Sequence, residues 1–119
     1  MREEVIRIVE AYIDAVRNKN IDSVPLHSDV VFEGPIRSIR GVAAFRKGME
    51  EFFPIVKSIE VVRLTADDDT CAAVLKVDTI FGLIPFCEFL QIAEGRIVSV
   101  RAYYDPRPIL EGMSRILAS

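Results

Sequence analysis

Three ionisable residues, Lys76, Asp78 and Glu88, punctuate an otherwise largely apolar stretch from Cys71 to Ala93, and together they are the raw material of acid and base chemistry. The stretch has the composition of two strands joined by a short turn, signalled by Phe81-Gly82-Leu83-Ile84-Pro85. Alternation sets Val74, Lys76, Asp78 and Ile80 on one face, and Ala73, Leu75, Val77 and Thr79 on the other. A turn centred on Leu83 pairs Asp78 with Glu88 and Ile80 with Phe86, so both acids share a face with Phe86, Leu90 and Ile92. Cross-strand neighbours lie roughly 5 Å apart at Cβ, and two carboxyls so placed hold their protons unequally. On this reading Asp78 is a general base, strengthened by burial and by the like charge of Glu88. Glu88 is the acid that donates to, or holds, an oxygen. Lys76, about 7 Å along the strand from Asp78, orients it and offsets its charge. The competing reading is a salt-bridged surface facing solvent, against which Ile80, Phe86, Leu90 and Ile92 weigh as a poor solvent face.

The elements that would position these residues follow from periodicity. Val5, Ile8, Val9, Tyr12, Ile13 and Val16 recur at helical spacing over residues 3–17, and Asn18-Lys19-Asn20 ends that helix. Pro25 leaves Ile21 to Leu26 a short helix or turn. Asp29 to Glu33 reads as a strand running into Gly34-Pro35. A second helix starts after Gly41, buries Val42, Phe45, Met49 and Phe52, and stops at Pro54. Lys57 to Ala66 is a strand, Asp67-Asp68-Asp69 a solvated turn, and the two strands described above follow. Glu94-Gly95 turns the chain into a strand from Arg96 to Tyr104. Asp105-Pro106-Arg107-Pro108 then breaks the sheet before a short helix carrying Ile109, Leu110, Met113, Ile116 and Leu117. The order predicts one α+β domain over residues 1–119, with helices on one face of a curved, mostly antiparallel sheet.

Composition narrows the partners. Half of the 119 residues are apolar, enough for a core and a greasy cavity. Acids and bases mix along the chain to a net charge of −3, with no basic stripe for a phosphate backbone, so nucleic acid is not expected. No apolar run is long enough for a bilayer, which points away from membranes and towards a soluble, cytoplasmic protein. Cys71 and Cys87 match neither a zinc pair nor a redox dithiol and are expected to be buried free thiols. One histidine, His27, and scattered acids make no ligand set, so neither metal nor cofactor is expected.

The element order, Tyr12 on the first helix, Glu33-Gly34-Pro35 before the loop to Gly41, and the ending Glu94-Gly95-Arg96-Ile97 through Tyr103-Tyr104-Asp105 resemble the nuclear transport factor 2-like, or SnoaL-like, superfamily, which shares the cystatin-like fold. The resemblance implies a cone of curved sheet and helices around an apolar pocket, and a homodimer formed through the outer sheet face. Among its enzymes the chain looks most like limonene epoxide hydrolase, through Ala11-Tyr12-Ile13-Asp14-Ala15, the loop from Pro35 to Gly41, Lys76-Val77-Asp78 and the C-terminal strand. By that comparison Asp78 stands at the water-activating aspartate, Lys76 at the arginine and Glu33 near a pocket asparagine. Ala102 occupies the place of the second aspartate. Ketosteroid isomerase is a weaker likeness, with Tyr12 at a hydrogen-bonding tyrosine, Glu88 near a protonated aspartic acid and Gly34 where the proton-shuttling base belongs.

Residues and resemblance together predict a cofactor-free enzyme acting on a small apolar molecule that carries oxygen, as a hydrolase or an isomerase. Asp78, Glu88 and Lys76 are the expected catalytic set. Tyr12, Glu33, Ile80, Phe86, Leu90 and Tyr104 are the expected ligand-binding set. The alternatives are a binding protein without catalysis and a dimerisation domain.

Overall fold

The computed structural model of the chain describes residues 1–118. Helix α1, Arg2–Asn18, buries the predicted stripe of Val5, Ile8, Val9, Tyr12, Ile13 and Val16. It ends at Lys19, whose left-handed backbone (φ 57°) returns its N–H to the carbonyls of Ala15 and Val16. The Arg17 guanidinium fastens the helix to the sheet by donating to the Ile59 carbonyl at 2.9 Å. Residues 21–25 form turns, and the first strand, β1, begins at Leu26 and runs to Glu33. A three-residue strand β2, Ser38–Arg40, folds back on it. Helix α2, Val42–Phe52, buries Phe45 and Met49 and passes through a single 3-10 turn, Phe53–Ile55, at Pro54.

Strands β3 (Val56–Ala66), β4 (Thr70–Thr79), β5 (Gly82–Ala93) and β6 (Arg96–Tyr104) make the long part of a six-stranded sheet, and α3 (Arg107–Ala118) closes the chain. The spatial order is β2-β1-β6-β5-β4-β3, antiparallel throughout except for the parallel β1–β6 pair. Irregularities in β3 between Val61 and Arg63, and in the β5–β6 pairing where Gln91 and Ile92 face Ser99 and Ile97, bend and twist the sheet. Helix α1 packs on β3 and β4, while α2 packs on β1 and β2, so both helices cover the same, concave face. The core lies between them and includes Val9, Phe45, Leu75, Ile84, Leu90 and Val100. No helix among the described residues is long and apolar enough to cross a membrane.

One departure from expectation matters for function. The β4–β5 turn lies at Ile80-Phe81, not around Leu83, because Thr79 pairs with Gly82 and closes the turn with its own hydroxyl. That hydroxyl donates to the Gly82 carbonyl at 2.8 Å and accepts from the Phe81 N–H at 3.0 Å. Pro85 lies within β5, past the last β5–β6 pair at Phe86 and Tyr104, where a missing N–H is tolerated. Glu88 consequently faces Ala73, and Asp78 faces Leu83. The expected and observed registers differ by an odd number of residues, which carries every β4 side chain to the opposite face. Cys71, Ala73, Leu75, Val77 and Thr79 point into the core, and Val74, Lys76 and Asp78 point out. Cys87 is also exposed, contrary to expectation, whereas Cys71 is buried.

Candidate functional site

A cavity of about 300 Å³ opens on the concave face, between α1, α2, the strands β5 and β6, and α3. Its floor is formed by buried residues: Tyr12 from α1, Phe45 and Met49 from α2, Phe86 and Glu88 from β5, and Ile109 from α3. Its mouth is formed by exposed or half-exposed ones: Ile36, Arg37, Glu51, Leu110 and Met113. Tyr104 stands at the side, its ring stacked on Phe86 with centroids 4.1 Å apart. A smaller void of about 30 Å³ continues behind Tyr12 and Glu88, towards Val16, Ile59 and Val77.

Glu88 is the chemical centre. Alternation in β5 directs Ile84, Phe86, Glu88, Leu90 and Ile92 inward, and Glu88 is the only acid among them. Its cross-strand neighbours are Ala73 on β4 and Ala102 on β6, two small residues that leave room above the carboxyl. Residual exposure is 8%. Among the described residues no hydrogen bond or ion pair is made to its carboxylate. Burial in this apolar setting favours the neutral form and raises its pKa from the ordinary 4.5 to about 7.

Two phenols share that field. Tyr12, buried in the core, has its pKa raised well above 10 by desolvation first and by the Glu88 charge second. Among the described residues its hydroxyl reaches only the Met49 sulfur, at 3.8 Å, a weak acceptor that a better one can replace. The Tyr104 hydroxyl is raised by burial and by Glu88, with Arg37 opposing. The arrangement supplies one carboxyl able to gain or lose a proton near neutral pH, and a phenolic donor beside it, in a cavity whose walls inside the mouth are Phe32, Phe45, Phe52, Phe86, Tyr104 and aliphatic side chains.

The remaining expected site residues lie elsewhere. Asp78 is on the outer face, where its carboxylate meets the Lys57 ammonium at 3.9 Å. Lys76 is exposed on the same face, paired in register with Glu60 and Pro85. Neither lines the cavity, because the turn at Ile80-Phe81 turns their faces outward. Glu33 points outward to Arg101, at 3.9 Å. Ile80, 53% exposed, sits at the hairpin tip, and Leu90 is sealed in the core beyond the cavity wall. Tyr12, Glu88, Phe86 and Tyr104 are the expected residues that the structure brings together at the cavity.

Other lining residues were not anticipated. Phe45, Met49 and Phe52 were legible as a buried stripe and Ile109, Leu110 and Met113 as an amphipathic helix, without a sign that they enclose a space. Helix α3 covers the cavity by resting on the β4–β5 turn: a Cβ at Gly112 would overlap the Phe81 ring, so only glycine permits the approach. Asp105 starts this helix, accepting from the Arg107 backbone N–H at 3.0 Å and from its guanidinium, which holds the Asp105 carboxyl down at about 2. No group of three or more His, Cys, Asp or Glu side chains among the described residues is placed to hold a metal ion.

The fold has close structural counterparts. A protein from Kribbella flavida superposes with a TM-score of 0.88 at 24% identity, covering 98% of both chains. An LEH-like epoxide hydrolase from M. tuberculosis gives 0.78 at 26% identity, covering 98% of this chain and 94% of the other. A proposed ketosteroid isomerase from Kribbella flavida gives 0.80 at 21% identity, over 87% of this chain and 79% of its own. No protein of curated function matches the sequence. The profile of the SnoaL-like domain matches residues 9–100, and the chain therefore belongs to the SnoaL-like family, with the nuclear transport factor 2-like fold.

Proposed function

We propose that the cavity is the active site of a proton-transfer enzyme, in which Glu88 moves a proton on a small apolar carbonyl compound and Tyr12 holds the oxygen. The observation that carries this is a buried carboxyl lining an apolar cavity without a protein partner, poised near pH 7. A general base works best when its pKa lies near the working pH. Glu88 as carboxylate takes the proton from the carbon next to a carbonyl; the electron pair moves onto the oxygen, which accepts from the Tyr12 hydroxyl; Glu88 then returns the proton to the same carbon or to a conjugated one. The Tyr12 phenol, kept neutral by its high pKa, is suited to donate rather than to ionise. No redox partner or second acid enters this cycle.

Hydrolysis of an epoxide is the second reading, supported by the 26% likeness to an LEH-like epoxide hydrolase. There Glu88 would take a proton from water, and Tyr12 would face the opening oxygen. It ranks lower because a catalytic water needs two or more polar partners, and the floor of this cavity offers few. The test uses 2-tetralone, whose acidic C–H protons exchange with D2O, read by NMR, and styrene oxide, whose diol is read by chromatography. Exchange that Glu88→Gln lowers at least about 100-fold supports the isomerase-type reading. Diol formation with the same dependence selects hydrolysis instead. Binding without either reaction leaves a binding protein.

We further infer that the outer sheet face pairs two copies of the chain. Val74, Phe89 and Tyr103 stand there 40%, 42% and 58% exposed, in adjacent register rows. Sedimentation should show a dimer that Phe89→Glu weakens; a wild-type monomer at all concentrations refutes the inference.

A further inference from the structure

We propose that the cavity's occupant is an apolar carboxylic acid, whose carboxylate is held by Arg37 at the mouth while its oxygen-bearing far end reaches Glu88 and Tyr12. The inference rests on the cavity being a ligand site, and it adds the substrate class. Of the described residues lining the cavity, Arg37 is the one cation. Its guanidinium is set across α2, donating to the Gly48 carbonyl at 3.4 Å and facing Glu51 at 3.6 Å. Both side chains lie over Gly48: a Cβ there would be in ordinary contact with the Arg37 terminal nitrogen, at 3.4 Å, and would displace the Ile39 methyl, at 2.6 Å.

Charge is distributed along the cavity, not clustered. Arg37 is exposed at the mouth, whereas Glu88 is buried on the floor. Arg37 and Glu88 therefore mark the outer and inner ends, and the stacked Phe86 and Tyr104 rings line the wall of the same cavity. A ligand filling this space meets apolar walls along its length, a cation at its outer end and a proton-transfer pair at its inner end. A carboxylate fits the outer end because a guanidinium offers two parallel N–H donors to it. Glu51 does not pre-empt this role. Its contact is long and both side chains are about half exposed, 46% for Arg37 and 54% for Glu51, so the pair is weak and an incoming carboxylate can displace it.

The experiment compares 2-naphthylacetic acid with 2-naphthylacetamide, which match in shape and differ in charge, by calorimetric titration of the full chain at pH 6. At that pH the probe acid is ionised and Glu88 is mostly neutral. The acid should bind roughly five- to tenfold tighter than the amide. Arg37→Gln should bring the acid's affinity down to the amide's, Arg37→Lys should keep part of the preference, and Glu51→Gln should strengthen it. Equal affinities in the wild type, a preference that survives Arg37→Gln, or failure of both probes to bind overturns the proposal. Failure here leaves the proton-transfer reading to its own test, since 2-tetralone carries no carboxylate.

Discussion

The two faces of the β4–β5 hairpin carry the same kinds of residue and treat them in opposite ways. On the inner face Glu88 lies between Ala73 and Ala102, shut from water by α1, α2 and α3, and holds its proton up to about pH 7. On the outer face Asp78 keeps its water and a distant Lys57, with 40% and 60% of the two side chains exposed. What separates a group fit for proton transfer from an ordinary surface acid is less its type than its face, and the face was decided by a turn. Thr79, by closing the hairpin at Ile80-Phe81 and not around Leu83, shifted the register by five residues and so placed one acid inside and the other out.

The sharpest way to break this contrast is to neutralise each acid in turn. Glu88→Gln should lower proton exchange at least about 100-fold, and Asp78→Asn should leave it within about twofold. Loss of activity in Asp78→Asn with retention in Glu88→Gln would reverse the assignment of faces.

Stability gives the next largest difference. The folded-state pKa of Glu88 lies above its unfolded value of 4.5, so between pH 4.5 and about 7 the folded chain holds a proton that the unfolded chain has lost. Stability from this group is therefore undiminished below pH 4.5, falls as pH rises through that window, and stays reduced above it, by roughly 3 kcal/mol in all. Urea melts at a series of pH values should show this decline in the wild type and its absence in Glu88→Gln. A wild-type curve parallel to the variant's would mean that Glu88 is hydrated.

The fold was legible because its long elements are strongly patterned. The α1 stripe, the α2 stripe and the alternating β5 each bury one side, and periodicity reports that directly. Strand β2 was not, since Ser38, Ile39 and Arg40 are too few to show a period. The site was half legible. Tyr12, Phe86, Glu88 and Tyr104 could be placed from β5 and β6 alternation together with the family likeness, but Lys76 and Asp78 could not, because the Gly82 to Pro85 segment looks more like a turn than Thr79 to Gly82 does. A better signal was present: the odd-numbered side of β4, Cys71, Ala73, Leu75 and Val77, is uniformly apolar, and the even-numbered side carries both charges. Core burial favours the uniform side whatever the turn. Arg37 sits in an irregular segment between β1 and β2, where no period exists to point it anywhere.

Helix α3 rests on the hairpin beside the cavity, which offers a third and smaller test. Gly112→Ala pushes a methyl group into the Phe81 ring and should cost about 1–3 kcal/mol, partly recovered by Phe81→Ala in the double variant. Displacing the helix admits water to the cavity, so the Glu88 pKa should move back towards 4.5 and the stability decline between pH 4.5 and 7 should shrink. An unchanged pH profile in a destabilised variant would show that α1 and α2 suffice to desolvate the acid.

The smallest expected effect belongs to the outer pair. Asp78 and Lys57 meet at 3.9 Å with both side chains substantially exposed, and exposed pairs contribute about 0–1 kcal/mol. Asp78→Asn should therefore shift the urea midpoint by no more than about 0.5 kcal/mol of stability at any pH from 5 to 8, and 0.5 M salt should erase what difference there is. A larger loss, insensitive to salt, would mean that the second copy inferred on this face reaches beyond Val74, Phe89 and Tyr103 to cover Asp78 as well. In that case the loss should grow with protein concentration and vanish on dilution, since only an associated state makes stability depend on how much chain is present.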